Sequence, residues 1–442
     1  MRTTAVIFVL GLSLRLVIAV WAGSHFPPTG DGVFYDTFAQ RLAHGAGYTW
    51  LWDDGTVTHA AHYPVGYPAL LALPYAIFGA KPVVAGIVNA IVGALAVVAT
   101  HRLAIVWGDR RAIVAASIVA IHPALVLYTP AVMTEGITTA LVVSAAAIAG
   151  STLSNAWIRL VIAGVVLGAA TLVRPQSLLL APLLGACAMN GRRMIGAVIV
   201  TGLAIAICLP WTARNCEKMN RCALVSVNAG WNLLIGTQTE SGSWQAIDVP
   251  PECRTVWDEA EKDACFERAA RRAIREHPIA WVKRAPAKVR TTLDYFGAGP
   301  WYLHASNAKE FGDSAKTISG AIETFVSRAI LIAALLHWVR RARGDPSRIA
   351  CFAGLLLALT DHGYIAYILL ALVVLRARTR AMPESFSALA ILATALVHAV
   401  FFGAGRYGLT VIPFTVLLAC SLDAHRAGRR ANSHDRVAAD LT

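Results

Sequence analysis

Apolar positions fall in long runs near residues 4–22, 82–106, 112–128, 134–150, 157–173, 176–190, 194–211, 321–338, 349–360, 364–375, 385–402 and 408–421. Runs of this kind, lacking the two-residue alternation of a half-buried strand, predict about twelve bilayer-crossing helices. Several are shorter than the roughly 20 residues a perpendicular crossing needs, so broken or re-entrant helices are expected among them. Two segments interrupt the rhythm. The first, 23–81, holds PPTGDGVFYDTFAQRLAHGAGY, then WLWDDGTVTHAAHYPVGYP and the amphipathic ALLALPYAIFG. The second, 212–320, has a Trp- and Gly-rich half, NAGWNLLIGTQTESGSW, and a charged half, DEAEKDACFERAARRAIREHPIAWVKRAPAKV, with helical spacing and a cationic face expected at the membrane surface.

Charge sets the orientation. With the N-terminus in the cytoplasm, WGDRR, NAWIR, NGRR, RRARGDPSR, RARTR and AHRAGRR all fall on the cytoplasmic side, as the positive-inside rule requires. An even number of spans returns the C-terminus there, and both interrupting segments lie outside. The net charge of +13 therefore belongs to loops and points away from nucleic acid. The chain is 57% hydrophobic and 15% charged, against about a quarter charged for soluble domains. The expectation is an all-α polytopic membrane protein: a transmembrane module over 1–211 with its first outer loop at 23–81, a small outer domain over 212–320, further helices over 321–425 and a tail over 426–442. Arg15 within the first run, and the lack of an Ala-x-Ala end, favour a retained signal anchor over a cleaved peptide.

Four of the eight cysteines, Cys187, Cys208, Cys351 and Cys420, lie in or beside spans, where Cys is a small apolar filler. Cys216, Cys222, Cys253 and Cys265 share the outer segment, and their even number favours two disulfides, 216 with 222 and 253 with 265. Zinc is the rival reading, although the spacings match no common finger.

The same topology gathers polar residues at the outer face: Asp31, Asp36, His59, His62, Tyr63, Glu135, Arg174, Arg214, Asp361, His362 and Arg406. Charges at membrane depth are expensive unless paired or lining a polar cavity, and each of these is also placed where an interfacial anchor would be. Arg offers a planar fork to phosphate, a carboxylate beside it can take a proton from an acceptor hydroxyl or amine, and aromatics suit sugar stacking. Together they suggest sugar transfer from a polyprenyl phosphate. No cytoplasmic loop has a phosphate-cradling Gly-rich motif with its Lys, which argues against an ATP-driven machine.

Several motifs, in this order, resemble the GT-C integral membrane glycosyltransferases, in particular bacterial relatives of the dolichyl-phosphate-mannose protein mannosyltransferases and of the lipid A aminoarabinose transferase. They are GDGVFYDTFAQRLAHGAGY, HYPVGYPALLALPYAIFG, TPAVMTEGITTAL, LVRPQSLLL, LPWTARN, VSVNAGWNLLIGTQTESGSW, IREHPIAWVKRAPAKV and GRYGLTVIPFTVLLA. The resemblance implies an inverting transferase in a bacterial inner membrane, its active site facing the periplasm. Asp31 would be general base, Arg174 and Arg406 with Arg214 would hold the donor phosphate, and Tyr35, Asp36, His62, Tyr63, Glu135, Trp231 and Trp244 would support or line the substrate cleft. Some relatives carry a second acid where this chain has Gly32, which weakens a metal-dependent or two-carboxylate mechanism, so no obligatory metal or cofactor is expected. Asp36 and Glu135 also admit plain helix roles, Glu135 as an acid favoured by the helix dipole after Thr134. Phe34, Phe38 and Leu42 form a stripe suited to a helix lying on the membrane. The expected partners are a polyprenyl-phosphate sugar and a lipid, glycan or protein acceptor. A transporter or flippase is the main alternative, with a diphosphate-using ligase and a non-catalytic assembly subunit behind it.

Overall fold

The computed structural model describes residues 2–151, 155–189, 191–342, 344–377 and 380–422; the expected cytoplasmic tail lies outside them. Helices dominate. Six are long and apolar enough to cross a membrane by length and composition: Thr3–Gly23, Pro82–Trp107, Ala156–Val173, Arg193–Lys218, Asp313–Arg341 and Met382–Val400.

Helix α1 (Arg2–Gly23) packs along α4 (Pro82–Ala104) and α5 (Asp109–Ile121). Arg15, buried in α1, donates to the carbonyls of Val119 (3.1 Å) and Ala120 (2.9 Å) at the end of α5, as well as to Gly11. Helix C-terminal carbonyls are free acceptors with partial negative charge, which lets a cation remain inside the bundle.

The first outer loop folds as α2 (Asp31–Ala43), a hairpin of β1 (Thr49–Leu51) and β2 (Val57–His59) with Trp50 opposite Thr58, and α3 (Gly66–Phe78). Phe38 and Leu42 of the α2 stripe face the loop's own interior, while Phe34 stays exposed. Phe38 is fully buried with Tyr48, Ala60 and Val65, and Leu42, Trp50 and Trp211 close the cluster. The expectation that this stripe lies on the membrane is thus corrected for Phe38 and Leu42, which the hairpin and its neighbours cover with a protein surface.

The run at 112–128 breaks at Pro123 into α5 and a short α6 (Pro123–Leu127), because proline cannot donate the hydrogen bond that continues a helix. There follow α7 (Glu135–Ala149), α8 (Ala156–Val173), a 3-10 turn at Pro175–Leu179, α9 (Leu180–Ala188) and α10 (Arg193–Lys218). Helix α10 runs seven residues beyond the boundary expected at 211.

The outer segment is a set of short helices: α11 (Ala229–Gln238), α12 (Pro251–Arg254), α13 (Glu259–Glu276), α14 (Pro278–Lys283), α15 (Ala285–Leu293) and α16 (Ala298–Ser306). Disulfides join Cys216 to Cys222 and Cys253 to Cys265. Helix α15 packs against α19 and α20, where buried Lys288 donates to Val400 O at 3.2 Å. The chain ends in α17 (Asp313–Arg341), α18 (Asp345–Leu357), α19 (Gly363–Arg376), α20 (Met382–Val400), a 3-10 turn at Gly405–Val411 and α21 (Ile412–Cys420). One apolar core, rich in alanine, runs through the bundle.

Candidate active site

Asp31 is the first residue of α2, where the helix N-terminus favours a carboxylate. Gly30 before it has φ +56°, a left-handed conformation that glycine adopts without penalty. The position after it is closed to a side chain: a Cβ on Gly32 would lie 2.9 Å from the Tyr302 hydroxyl and 3.0 Å from Val132 O. That hydroxyl is itself fixed, accepting from Val132 N (3.2 Å) and Thr29 N (3.4 Å). The acid that some relatives carry here has no room in this chain.

Arg174 precedes Pro175, and a residue before proline is driven to extended backbone. Its φ of −145° and ψ of 111° end α8, and its guanidinium reaches the start of α7. There Nη1 donates to Glu135 Oε1 at 2.5 Å and to Thr134 Oγ1 at 3.1 Å. With the Gln176 amide assigned from the hydrogen-bond network, its oxygen accepts from Arg174 Nε and Nη2, both at 2.8 Å. Thr134 makes no capping hydrogen bond, so it serves Arg174 and leaves the helix end to Glu135.

Arg406, from the 3-10 turn before α21, joins the two acids. Its Nη2 donates to Asp31 Oδ2 at 2.8 Å and its Nε lies 3.3 Å from Glu135 Oε1. That Nε is buried without a hydrogen bond. Tyr128 donates to Glu135 Oε2 at 2.7 Å, and Tyr63 donates to Asp31 Oδ1 at 3.4 Å. The ring of Tyr407 lies beneath both cations, 4.6 Å from the Arg174 guanidinium and 5.2 Å from that of Arg406, and stacks on His398 at 4.3 Å. Two carboxylates and two guanidiniums are thereby held against one another from α2, α7, the end of α8 and the final turn. Glu135 is 1% exposed, whereas the Asp31 side chain is 35% exposed: one acid is sealed in and the other meets solvent.

A partly open cleft with a cavity volume of about 50 Å³ lies beside this cluster. Glu135, Arg174, Gln176, His398 and Tyr407 line its polar side, and Val142, Leu180, Val397 and Phe414 contribute to walls that are largely apolar and carry several threonines. Among the described residues, no group of three or more His, Cys, Asp or Glu side chains is placed to hold a metal ion.

The other sequence-derived residues divide. Tyr35 is buried with its ring against Tyr63 and Tyr67, supporting the loop. Asp36 accepts from Tyr75 OH (2.5 Å) and Gln40 Nε2 (2.6 Å), tying α2 to α3 away from Asp31. Arg214 is not brought to the cluster: it donates to the carbonyls of Ala60 (2.7 Å) and Tyr48 (2.8 Å), pinning the first loop. Asp361 pairs with Arg290 at 2.7 Å and with His362, at the turn between α18 and α19. Trp231 and His62 meet edge to face at 6.3 Å. The His62 imidazole is pushed down to about 4 by burial, with Asp31 pulling the other way, so it is neutral at pH 7. Trp244 is exposed on a segment docked through Gly242 O and Gly403 N (2.7 Å), three residues before Arg406.

Sequence reading missed Tyr128, Gln176, His398, Tyr407 and Glu259. Tyr407 adjoins Arg406 in GRYG and Gln176 follows Arg174 in RPQ, so proximity was a signal for those two; the others become visible only in three dimensions. Glu259 in α13 accepts from the backbone N–H of Ala61 (2.6 Å) and His62 (3.0 Å) and from Trp50 Nε1 (2.9 Å), clamping the outer segment onto the loop.

Residues 62–215 match the family described as dolichyl-phosphate-mannose-protein mannosyltransferase, which bears out the resemblance drawn from the motifs. A comparison with curated protein sequences finds no match. Among solved structures, the chain is similar to the Archaeoglobus fulgidus oligosaccharyltransferase in complex with Zn and sulfate (TM-score 0.49, 14% identity, covering 95% of this chain and 48% of that one). It is similar also to AglB from the same organism with an inhibitory peptide and a dolichol-phosphate (0.48, 13%, 94% and 49%). ArnT from Cupriavidus metallidurans bound to undecaprenyl phosphate is a further neighbour (0.40, 14%, 97% and 79%). The chain spans about half the length of the oligosaccharyltransferases it matches.

Proposed function

We propose that this protein is an inverting glycosyltransferase that moves a sugar from a polyprenyl-phosphate donor to an acceptor at the outer face of the bacterial inner membrane. The observation that carries this reading is the ionic cluster in which Arg406 is shared between Asp31 and Glu135, with Glu135 and Arg174 of that cluster lining a largely apolar cleft beside it. A lipid phosphate has the two properties that such a site complements, an anionic head and a hydrocarbon tail. The match over 62–215 supports it.

In this mechanism the isoprenoid lies along the Val142, Leu180 and Phe414 wall and its phosphate takes hydrogen bonds from Arg174, which lines the cleft, and from Arg406 behind it. Asp31 accepts the proton of the acceptor hydroxyl or amine. The oxygen or nitrogen so freed attacks the anomeric carbon, the bond from that carbon to the phosphate oxygen breaks, and the electron pair leaves with the phosphate. Fixed guanidiniums facing the developing charge stabilise the transition state without reorganising. Asp31 then releases its proton to the solvent it meets. Glu135 keeps the two cations in place and has no proton role, being sealed by Tyr128 and both arginines.

Vesicles holding the protein and undecaprenyl-phosphate sugars radiolabelled in the sugar, tested as a panel with a membrane extract as acceptor, discriminate the readings. The label should leave the lipid and free undecaprenyl phosphate should accumulate. Movement of intact labelled lipid between leaflets, with its sugar retained, would identify a flippase instead.

A further inference from the structure

Aromatic rings run in series from Asp31 to the tip of the β1–β2 hairpin. The Tyr63 hydroxyl donates to Asp31, and its ring stacks on Phe34 with centroids 4.9 Å apart and planes 20° from parallel. Phe34 meets Trp50 edge-on at 5.7 Å, and Trp50 lies 6.3 Å from Trp52. Phe34 is 37% exposed and Trp52 54%, while Tyr63 and Trp50 are half-buried. Three of the four rings are held by their polar ends: Tyr63 by Asp31, Trp50 by Glu259 Oε1 and Trp52 by Thr58 Oγ1 at 2.8 Å. Side chains fixed in this way offer apolar faces at little further cost in conformational freedom.

The chemistry beside the rings selects the occupant. Tryptophan also marks membrane interfaces, but exposed Asp53 and Asp54 adjoin Trp52, and carboxylates are costly near acyl chains and repelled by anionic headgroups. An extended peptide binds by pairing main-chain groups with a sheet edge, whereas this path presents ring faces. Sugar rings carry apolar C–H faces ringed by hydroxyls, and aromatic faces flanked by carboxylate acceptors complement both features.

We propose that Phe34, Trp50 and Trp52 form successive subsites for a glycan acceptor, whose terminal sugar lies at Tyr63 with its attacking hydroxyl at Asp31. The assignment of the acceptor class rests on the transferase reading given above.

Binding of maltose and maltohexaose, mannobiose and mannohexaose, and chitobiose and chitohexaose to the full-length protein in detergent, followed by saturation-transfer difference NMR, tests it without turnover. At least one hexaose should bind about tenfold more tightly than its disaccharide. Trp52→Ala should remove that advantage and Trp52→Phe should retain most of it, while the affinity for undecaprenyl phosphate stays the same in both. Equal binding of long and short sugars, a length advantage untouched by Trp52→Ala, or response to a Ser/Thr peptide with none to any sugar would overturn the proposal. Trp52-dependent glycan binding by a protein that transfers no sugar would defeat the transferase reading alone; transfer with no dependence on Trp52 would defeat the subsites alone.

Discussion

Glu135 illustrates what the site demands of single residues. It is fully enclosed, and its charge is acceptable because Arg174, Arg406 and Tyr128 all approach it. Removing one partner of a buried ionic group costs about 3–5 kcal/mol, since the other charge stays buried. Glu135→Gln should therefore lower the thermal midpoint in detergent by several degrees, and undecaprenyl phosphate should restore more of that loss than it adds to the wild type, because its anion replaces the missing charge. Equal shifts in both proteins would separate Glu135 from the phosphate site. His62 gives a pH prediction. Burial depresses its folded value to about 4 from an ordinary 6.5, so its contribution is complete above pH 6.5 and is lost as pH falls from 6.5 towards 4, on the order of 3 kcal/mol in full. His62→Phe should flatten the pH dependence of unfolding over that window. The sequence already marked Asp31, Glu135, Arg174 and Arg406, because charged residues at the outer ends of apolar runs stand out by burial cost alone. It could not separate Arg214 from them, since a guanidinium that binds main-chain carbonyls has the same composition signal as one that binds phosphate. Asp36 and the Asp361–His362 pair were ambiguous for the same reason.

At the scale of elements, helix identity was legible wherever the apolar run was long, as in α4 and α10, and less so where proline divides it, as at Pro123. The burial of Phe38 was not legible, because a four-residue apolar spacing fits a membrane surface and a protein surface equally well, and the β1–β2 hairpin that covers it is only three residues per strand. The Cys253–Cys265 disulfide links α12 to α13, close to Glu259. A closed loop of this size contributes about 3 kcal/mol. A Cys253→Ala, Cys265→Ala double variant should speed amide exchange across 251–276 and, through Glu259, at Ala61 and His62, with the membrane helices unchanged. Faster exchange confined to 251–276 would show that the clamp on the first loop holds without the disulfide.

For the whole molecule, the converged site depends on one topology: α2, the start of α7, the end of α8 and the turn before α21 must share a face. Positive loops suggested that face, and the contacts among Asp31, Glu135, Arg174 and Arg406 require it. Single cysteines introduced at Asp345 and Ala246, both exposed, should react with an impermeant maleimide from opposite sides of the membrane; labelling from one side would dissolve the shared face. The central claim, that Asp31 is the base of a sugar transfer, is tested most directly by Asp31→Asn, which keeps the shape of the side chain while removing its charge. Single-turnover transfer from a radiolabelled undecaprenyl-phosphate sugar should fall by about two to four orders of magnitude, the span expected for general-base catalysis, while donor binding persists. Transfer at the wild-type rate by Asp31→Asn, with binding intact, would contradict the account.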